Sequence, residues 1–250
     1  MRTVYVIGIG AGDPEHLTLQ ALAAIRRVDV FLVFDKGAAK GDLAGLRAEL
    51  LARHAGAHHR VVEAADPERD RAAAAYEAAV VDWQDRRAEI YARLIADELD
   101  DDGVAGILVW GDPAIYDGTL RILERVAGRG EVAFRVESVP GISSVQALAA
   151  AHRLVLNRVG RPFLVTTGRR LAQGWPPGVD DVVVMLDAVD AHAGVTEPDV
   201  DIYWGAYLGT PDEVLVVGDL REVADEISRR RVELRARRGW IMDTYLLRRR

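Results

Sequence analysis

Three stretches of the chain combine glycine, proline and small polar residues in a way suited to holding a ligand by the backbone. They read Gly8-Ile9-Gly10-Ala11-Gly12-Asp13-Pro14, Trp110-Gly111-Asp112-Pro113-Ala114-Ile115-Tyr116 and Val139-Pro140-Gly141-Ile142-Ser143-Ser144. Glycine lets a ligand approach the main chain with no Cβ in the way. A dinucleotide fingerprint needs a third glycine where the first stretch has Asp13, at the opening of the next helix. A carboxylate there repels a pyrophosphate, so the loop is a poor phosphate cradle. A nicotinamide dehydrogenase with Asp35 as its ribose-binding acid is an alternative that this aspartate argues against. Taken singly, Gly-Asp-Pro and Pro-Gly are turn punctuation, and a serine of the third stretch is suited to capping a helix.

Other constellations are weaker. His54 and His58 are four residues apart, but Gly56 between them and His59 beside them read as a solvated loop, so no metal site is expected. Ser143-Ser144 lacks the G-x-S-x-G elbow that would make a hydrolase nucleophile. With no cysteine in the chain, disulfides, thiolate metal sites and a cysteine nucleophile are excluded.

Each of the three stretches follows a short apolar run that reads as a buried strand: Thr3–Ile9, Gly106–Trp110 and Val132–Val139. Leu17–Arg27 reads as a helix and Val30–Phe34 as the next strand, which makes a parallel, right-handed βαβ unit. A helix around Leu43–Arg53, a short strand at Val61–Glu63 and a long helix opening at Asp66-Pro67 follow. In that helix Tyr76, Val80, Trp83, Ile90, Leu94 and Leu99 recur at helical intervals, with one slip at Arg87. Asp117–Val126 and Ser143–Ala151 read as further helices. Beyond polar connectors at Leu154–Pro162, strands are expected at Phe163–Thr167, Val182–Leu186, Ile202–Tyr207 and Val214–Val217, then a helix over Arg221–Arg238 and a last strand within Trp240–Leu247. The reading is an α/β protein of two α/β domains: residues 1–158 with a mainly parallel sheet, and 159–250 with a mixed one.

The chain has 250 residues, 50% of them hydrophobic and 28% charged, which suits one large or two small globular domains. Its longest apolar runs fall far short of a membrane span, and the first ten residues lack a signal-peptide core, so a soluble cytoplasmic protein is expected. The net charge of −7 argues against a general nucleic-acid binder. Residues 221–250 carry ten arginines against five acids, a local +5 that leaves −12 for the rest. Because Arg229–Arg231 and Arg235–Arg238 interleave with Ile227, Val232 and Leu234, this basic segment reads as a solvated helix.

GIGAGDPEHLT (8–18), GDPAIY (111–116), VPGISS (139–144) and LGTPDE (208–213) stand in the order and spacing of the tetrapyrrole methylase family, which the whole chain resembles. VFDKG (33–37), ADPERDR (65–71), LVWGDP (108–113), TTGRR (166–170), DIYWGAYLGTPDE (201–213) and GWIMDTYLLRR (239–249) are similar to its deacetylating branch, which makes precorrin-6A in cobalamin synthesis. The family's first loop usually reads GPGD; here Ala11 stands in for the proline.

The resemblance implies two α/β domains with S-adenosylmethionine folded in a cleft between them, on a homodimer. Carried onto this chain, the cofactor contacts fall at Ala11, Trp110, Gly111, Asp112 and Ile115, then at Ser143, Ser144, Met185 and Gly209. The implied reaction methylates C-1 of precorrin-5 and expels the acetyl group there as acetate. Such a reaction calls for a general base and an oxyanion donor. Asp35, at the end of the second strand, is the candidate base, although it is equally suited to capping the next segment or pairing with Lys36. Tyr116 is the candidate donor, with packing beneath its loop as the alternative, and Asp117 reads as a helix cap. Arg169 and Arg170 suit the substrate's carboxylates, since guanidinium forks match them bidentately, or else lie on the surface. Two other readings stay open: methylation at a different ring carbon, and a non-catalytic tetrapyrrole- or partner-binding protein.

Overall fold

The structure, a computed structural model, describes residues 1–35, 41–68 and 76–250, without the side chains of residues 35, 41–44, 76 and 77. The packing divides the chain into two units, Met1–Gly10 with Pro14–Ile142, and Ala11–Asp13 with Ser143–Arg250.

The first unit is built on five parallel strands in the order β3-β2-β4-β1-β5. These are β1 (Arg2–Gly8), β2 (Val30–Asp35), β3 (Arg60–Ala65), β4 (Val104–Val109) and β5 (Phe134–Val139). The β-branched runs of β1 and β4 are apolar on both faces, as central parallel strands must be when helices cover both sides. Val4, Val6, Leu32, Ile107 and Val109 face the core under α3 (Tyr76–Glu98) and α4 (Thr119–Arg129). Ile7, Phe31 and Leu108 face the opposite core under α1 (Leu19–Ile25) and α2 (Gly41–His54). Leaving β1 the chain turns to one face of the sheet; leaving the neighbouring β4 it turns to the other. That reversal opens a crevice at the carboxyl ends of the two strands, where ligands bind in such sheets.

The second unit holds the mixed sheet β6-β7-β10-β8-β9, formed by β6 (Phe163–Thr167), β7 (Asp181–Met185), β8 (Val200–Ala206), β9 (Val214–Asp219) and β10 (Asp243–Arg249). Only β6 and β7 run parallel; β10 is antiparallel to β7 and β8, and β8 to β9. One face packs on α7 (Leu220–Arg238) through Ile227 and Leu234, the other on α5 (Ser144–Ala151) through Val145 and Leu148.

The packing boundary at Ile142/Ser143 differs from the one the connector composition suggested at residue 158. The reason is apolar: α5 buries Val145 and Leu148 against Val183 and Leu246 of the second sheet. The connector itself is tied there too, since Arg248 Nη2 donates to the carbonyls of Val155 (2.8 Å) and Leu156 (2.9 Å). The long helix, expected from Asp66-Pro67, is described from Tyr76; residues 69–75 lie outside the described residues. Among the described residues no helix is long and apolar enough to cross a membrane.

Candidate functional site

In the first unit the three glycine-rich stretches meet backbone to backbone. The amide of Gly10 donates to the carbonyl of Gly111 (3.3 Å) and that of Gly111 to Gly10 (2.8 Å), an isolated antiparallel bridge just past the parallel β1–β4 ladder. Gly111 holds a left-handed φ of 71°, which a side-chain-bearing residue adopts only at a cost. A Cβ on Gly8 would stand 2.6 Å from the amide nitrogen of Gly141 and 2.7 Å from the carbonyl oxygen of Gly111, so the three loops have no room for side chains where they touch. Asp112 staples them: one carboxylate oxygen accepts from Ala114 N (2.7 Å) and the other from Gly141 N (2.9 Å). Its charge is thus spent in part on main-chain amides of the second and third loops.

The second unit gathers another set of the expected residues. Ala11, 1% exposed, packs with Val145, Leu148, Leu208 and Leu246. Gly209, in the turn after β8, donates its amide to Glu213 Oε2 (2.8 Å). Ser143 is the N-cap of α5: its hydroxyl accepts from Val145 N (3.2 Å), and Gln146 returns a bond to its amide (3.2 Å). The Ser144 hydroxyl accepts from Thr244 Oγ1 (2.9 Å). Both serines therefore hold structure. Met185, half-buried at the end of β7, lies beside the same apolar cluster.

Three non-glycine residues with left-handed φ stand at strand exits that carry expected cofactor residues: Tyr116 (51°), Leu186 (52°) and Tyr207 (50°). They follow Ile115 and Met185 and precede Leu208-Gly209. Backbone held in this region costs on the order of 1–3 kcal/mol per residue and gathers at ligand-binding sites.

The catalytic candidates differ in what the structure tells of them. Tyr116 is 47% exposed, and partial burial pushes its hydroxyl above the ordinary tyrosine value, so it stays a proton donor at neutral pH. Asp35 is the last residue of β2, beside Ala65 of β3; its side chain is outside the described residues. Asp117 accepts from Thr119 N (2.7 Å), but it stands one residue ahead of the N-cap of α4, which is Gly118. Arg169 and Arg170 lie exposed on the short helix α6 (Gly168–Leu171), where Arg170 Nη1 donates to Gln173 Oε1 (3.1 Å).

Two polar clusters were not foreseen from the sequence. Arg231, expected on a solvated face, is 1% exposed. It pairs with Asp243 (2.5 Å), Asp190 (2.6 Å) and Asp187 (3.7 Å). Burial pushes the Asp243 carboxyl up to about 6, while Arg231 and the Trp204 indole N–H (2.8 Å) pull it down. In the first unit, Arg47, Arg87 and Tyr91 surround a cavity between β2 and β4. The slip at Arg87 in the apolar spacing of α3 was the one sequence signal for it.

Residues 3–224 match the family of tetrapyrrole (corrin/porphyrin) methylases. The chain is 48% identical over 249 residues to a precorrin-6A synthase (deacetylating) of Sinorhizobium sp, covering 99% of this chain and 95% of that one. Among solved structures it is similar to a cobalamin-synthesis-related protein (CobF) of Corynebacterium diphtheriae, with a TM-score of 0.87 and 38% identity over 99% of this chain and 98% of the other. A uroporphyrin-III C-methyltransferase of Thermus thermophilus, solved with S-adenosylhomocysteine, shares the fold at a TM-score of 0.58 and 21% identity, covering 98% and 96% of the two chains.

Proposed function

Since the chain belongs to the tetrapyrrole methylases, we propose that it methylates C-1 of precorrin-5 with release of acetate, giving precorrin-6A. The observation that carries this reading is the 48% identity to a deacetylating precorrin-6A synthase across 99% of the chain.

S-adenosylmethionine, bound, supplies an electrophilic methyl group on a sulfonium. The loops suit such a ligand better than a dinucleotide. Their approach surface is bare backbone, as the closeness of Gly8, Gly111 and Gly141 requires. Their charged residues, Asp13 and Asp112, are acids that favour a cation and repel phosphate. We assign Trp110, Gly111, Asp112 and Ile115 in the first unit, and Ala11, Ser143, Ser144, Met185 and Gly209 in the second, to the cofactor. With their hydroxyls engaged in the α5 cap and with Thr244, the two serines would act chiefly through their main chain and by fixing the helix start.

Transfer of the methyl group asks the protein mainly for position, worth up to roughly 7–11 kcal/mol of barrier. Deacetylation asks for more. Water adds to the acetyl carbonyl and loses a proton to a base; the carbon–carbon bond then breaks, acetate leaves, and the electron pair left at C-1 takes the methyl group. Asp35 is the proposed base, Tyr116 the proposed donor to the oxyanion, and Arg169 and Arg170 the proposed partners of substrate carboxylates. A homodimer working in the cytoplasm completes the reading.

Incubation with precorrin-5 and S-adenosylmethionine tests it directly. The expected outcome is a product carrying one more methyl and lacking the acetyl group, with one acetate per turnover; methylated product without acetate would move the activity to another ring carbon. Calorimetry with S-adenosylhomocysteine and NADH checks the cofactor, and binding of NADH alone would overturn it. Asp35→Asn releasing acetate at the wild-type rate would remove Asp35 as the base.

A further inference from the structure

The sheet of the first unit comes apart at one place. β2 pairs with β4 only at Val30–Ala105 and Phe31–Gly106, whereas β2 stays with β3 through Asp35–Ala65 and β4 stays with β1 through Val109–Gly8. Beyond Gly106 the facing edges of β2 and β4 part, and a cavity of about 100 Å³ opens between them. That is room for several waters or one small organic anion.

Its walls are of two kinds. Leu32, Phe34, Ile107 and Val109 are apolar. Opposite them stand donors in excess of acceptors. The Nε of Arg47 and the indole Nε1 of Trp110 are shielded from solvent and have no hydrogen-bond partner among the described residues. Arg87, 8% exposed, is held by Asp66 (2.8 Å) and lies 4.2 Å from the centre of the Phe34 ring. Tyr91, 2% exposed, meets Phe34 edge-on at 4.8 Å. The lining acid, Asp117, is turned to the amide of Thr119 (2.7 Å). Burial, and to a lesser degree the neighbouring Arg87, lower the affinity of Arg47 for its proton, which Tyr91 and Asp117 offset only in part.

Buried polar groups in native proteins have partners, and a buried donor left without one costs about 1–3 kcal/mol. We propose that the cavity between β2 and β4 is a binding site for a carboxylate on a short alkyl stub, received by Arg47, the Trp110 indole N–H and Arg87. The apolar wall takes the stub, which favours such a ligand over inorganic phosphate; a guanidinium and an indole N–H lining one cavity suit a carboxylate's two oxygens. Two sources share this chemistry: the acetate that the proposed reaction releases, and a carboxylate arm of the tetrapyrrole. Only the source rests on the proposed function; the binding does not.

The test uses the full chain without tetrapyrrole. Acetate and propionate are titrated into ¹⁵N-labelled protein, and the indole N–H resonance of Trp110, assigned by its loss in Trp110→Phe, is followed. Saturable shifts of that resonance are expected with both anions and not with phosphate. Arg47→Gln should weaken acetate binding about ten- to a hundredfold while leaving the affinity for S-adenosylmethionine unchanged. No saturable shift in the wild type, or equal binding of phosphate, would overturn the proposal, and so would equal acetate binding by a folded Arg47→Gln. The wild-type titration decides even if that variant does not fold. In turnover, acetate inhibition relieved by Arg47→Gln with an unchanged KM points to released acetate. A raised KM for the tetrapyrrole with unchanged kcat points to its carboxylate arm. Failure of precorrin-5 to react would sink the proposed function and leave the titration standing.

Discussion

Two arginine sites, Arg231 in the second unit and Arg47 in the first, treat their charge in opposite ways. In the second, Arg231 is enclosed by three carboxylates, and the surrounding Trp204 and Tyr245 donate to Asp243 (2.8 Å) and Asp187 (2.7 Å). In the first, the Nε of Arg47 and the indole N–H of Trp110 are shielded donors lining a void, with no hydrogen-bond partner among the described residues. Both arrangements put guanidinium groups in low-dielectric surroundings, where an uncompensated charge is costly. A cluster that closes on itself holds a fold together. One that stays open at the carboxyl ends of parallel strands has a place for something else.

The largest effect that could break this contrast is at Arg231. Arg231→Met removes the cation and leaves Asp187, Asp190 and Asp243 facing one another, which should cost about 3–5 kcal/mol of unfolding free energy. Urea denaturation measures it. Arg47→Gln should cost under about 1 kcal/mol in the same assay, because its Nε has no hydrogen bond among the described residues to lose. Equal losses at the two positions would mean that both clusters are structural.

Asp243 sharpens the comparison through pH. Its carboxyl is pushed up to about 6, chiefly by burial, from an ordinary value of 3.8. The folded state then holds this proton more tightly than the unfolded chain does. The stabilisation from this group is therefore complete below about pH 4 and is lost as the pH rises through about 6, a change on the order of 2–3 kcal/mol. Asp243→Asn keeps an amide oxygen for Trp204 and Arg231 and has no proton to lose. Denaturation midpoints should show the variant gaining on the wild type between pH 4 and 7, and parallel curves would place the titration elsewhere.

What the sequence made legible, and what it hid, follows from the range of the interactions. The glycine stretches are local signals: each sits directly after an apolar strand, and the bridge between Gly10 and Gly111 needs only that β1 and β4 be neighbours. The start of α5 at Ser143 is likewise local, because a capping box joins two residues three positions apart. The partner of α5 is not local, for its small apolar residues suit either sheet, and the domain boundary moved with it. Arg231 sits in an arginine run whose composition reads as solvated, while Asp243 and Asp187 lie 12 and 44 residues away. The cavity is hidden more deeply still: it exists because the β2–β4 pairing stops at Gly106, a fact of register that neither strand states alone.

A smaller effect separates the staple from the cradle. Asp112→Ala removes the acceptor of Ala114 N and Gly141 N, and charge-assisted bonds of this kind contribute about 1.5–3 kcal/mol. If the loops hold S-adenosylmethionine through their main chain, calorimetry should find its affinity lowered about ten- to a hundredfold, with the unfolding free energy lowered by no more than about 1.5–3 kcal/mol. An unchanged affinity would mean that the second and third loops keep their relation without the staple.

The smallest effect is expected two residues before Arg231. Arg229 sits on the same helix with 60% of its side chain exposed, paired to Glu233 at 2.9 Å across one turn. Water screens this pair, and fixing two long side chains takes back much of what the charges gain, so Arg229→Ala should cost only about 0.2–0.5 kcal/mol and less in high salt. The loss at Arg231 should hardly respond to salt, because mobile ions do not reach a buried cluster. Measured side by side in low and high salt, the two arginines test whether enclosure rather than residue type sets the energy. If Arg229→Ala matched Arg231→Met, the basic run would act as one surface feature, and the contrast between the closed cluster of the second unit and the open one of the first would lose its physical basis.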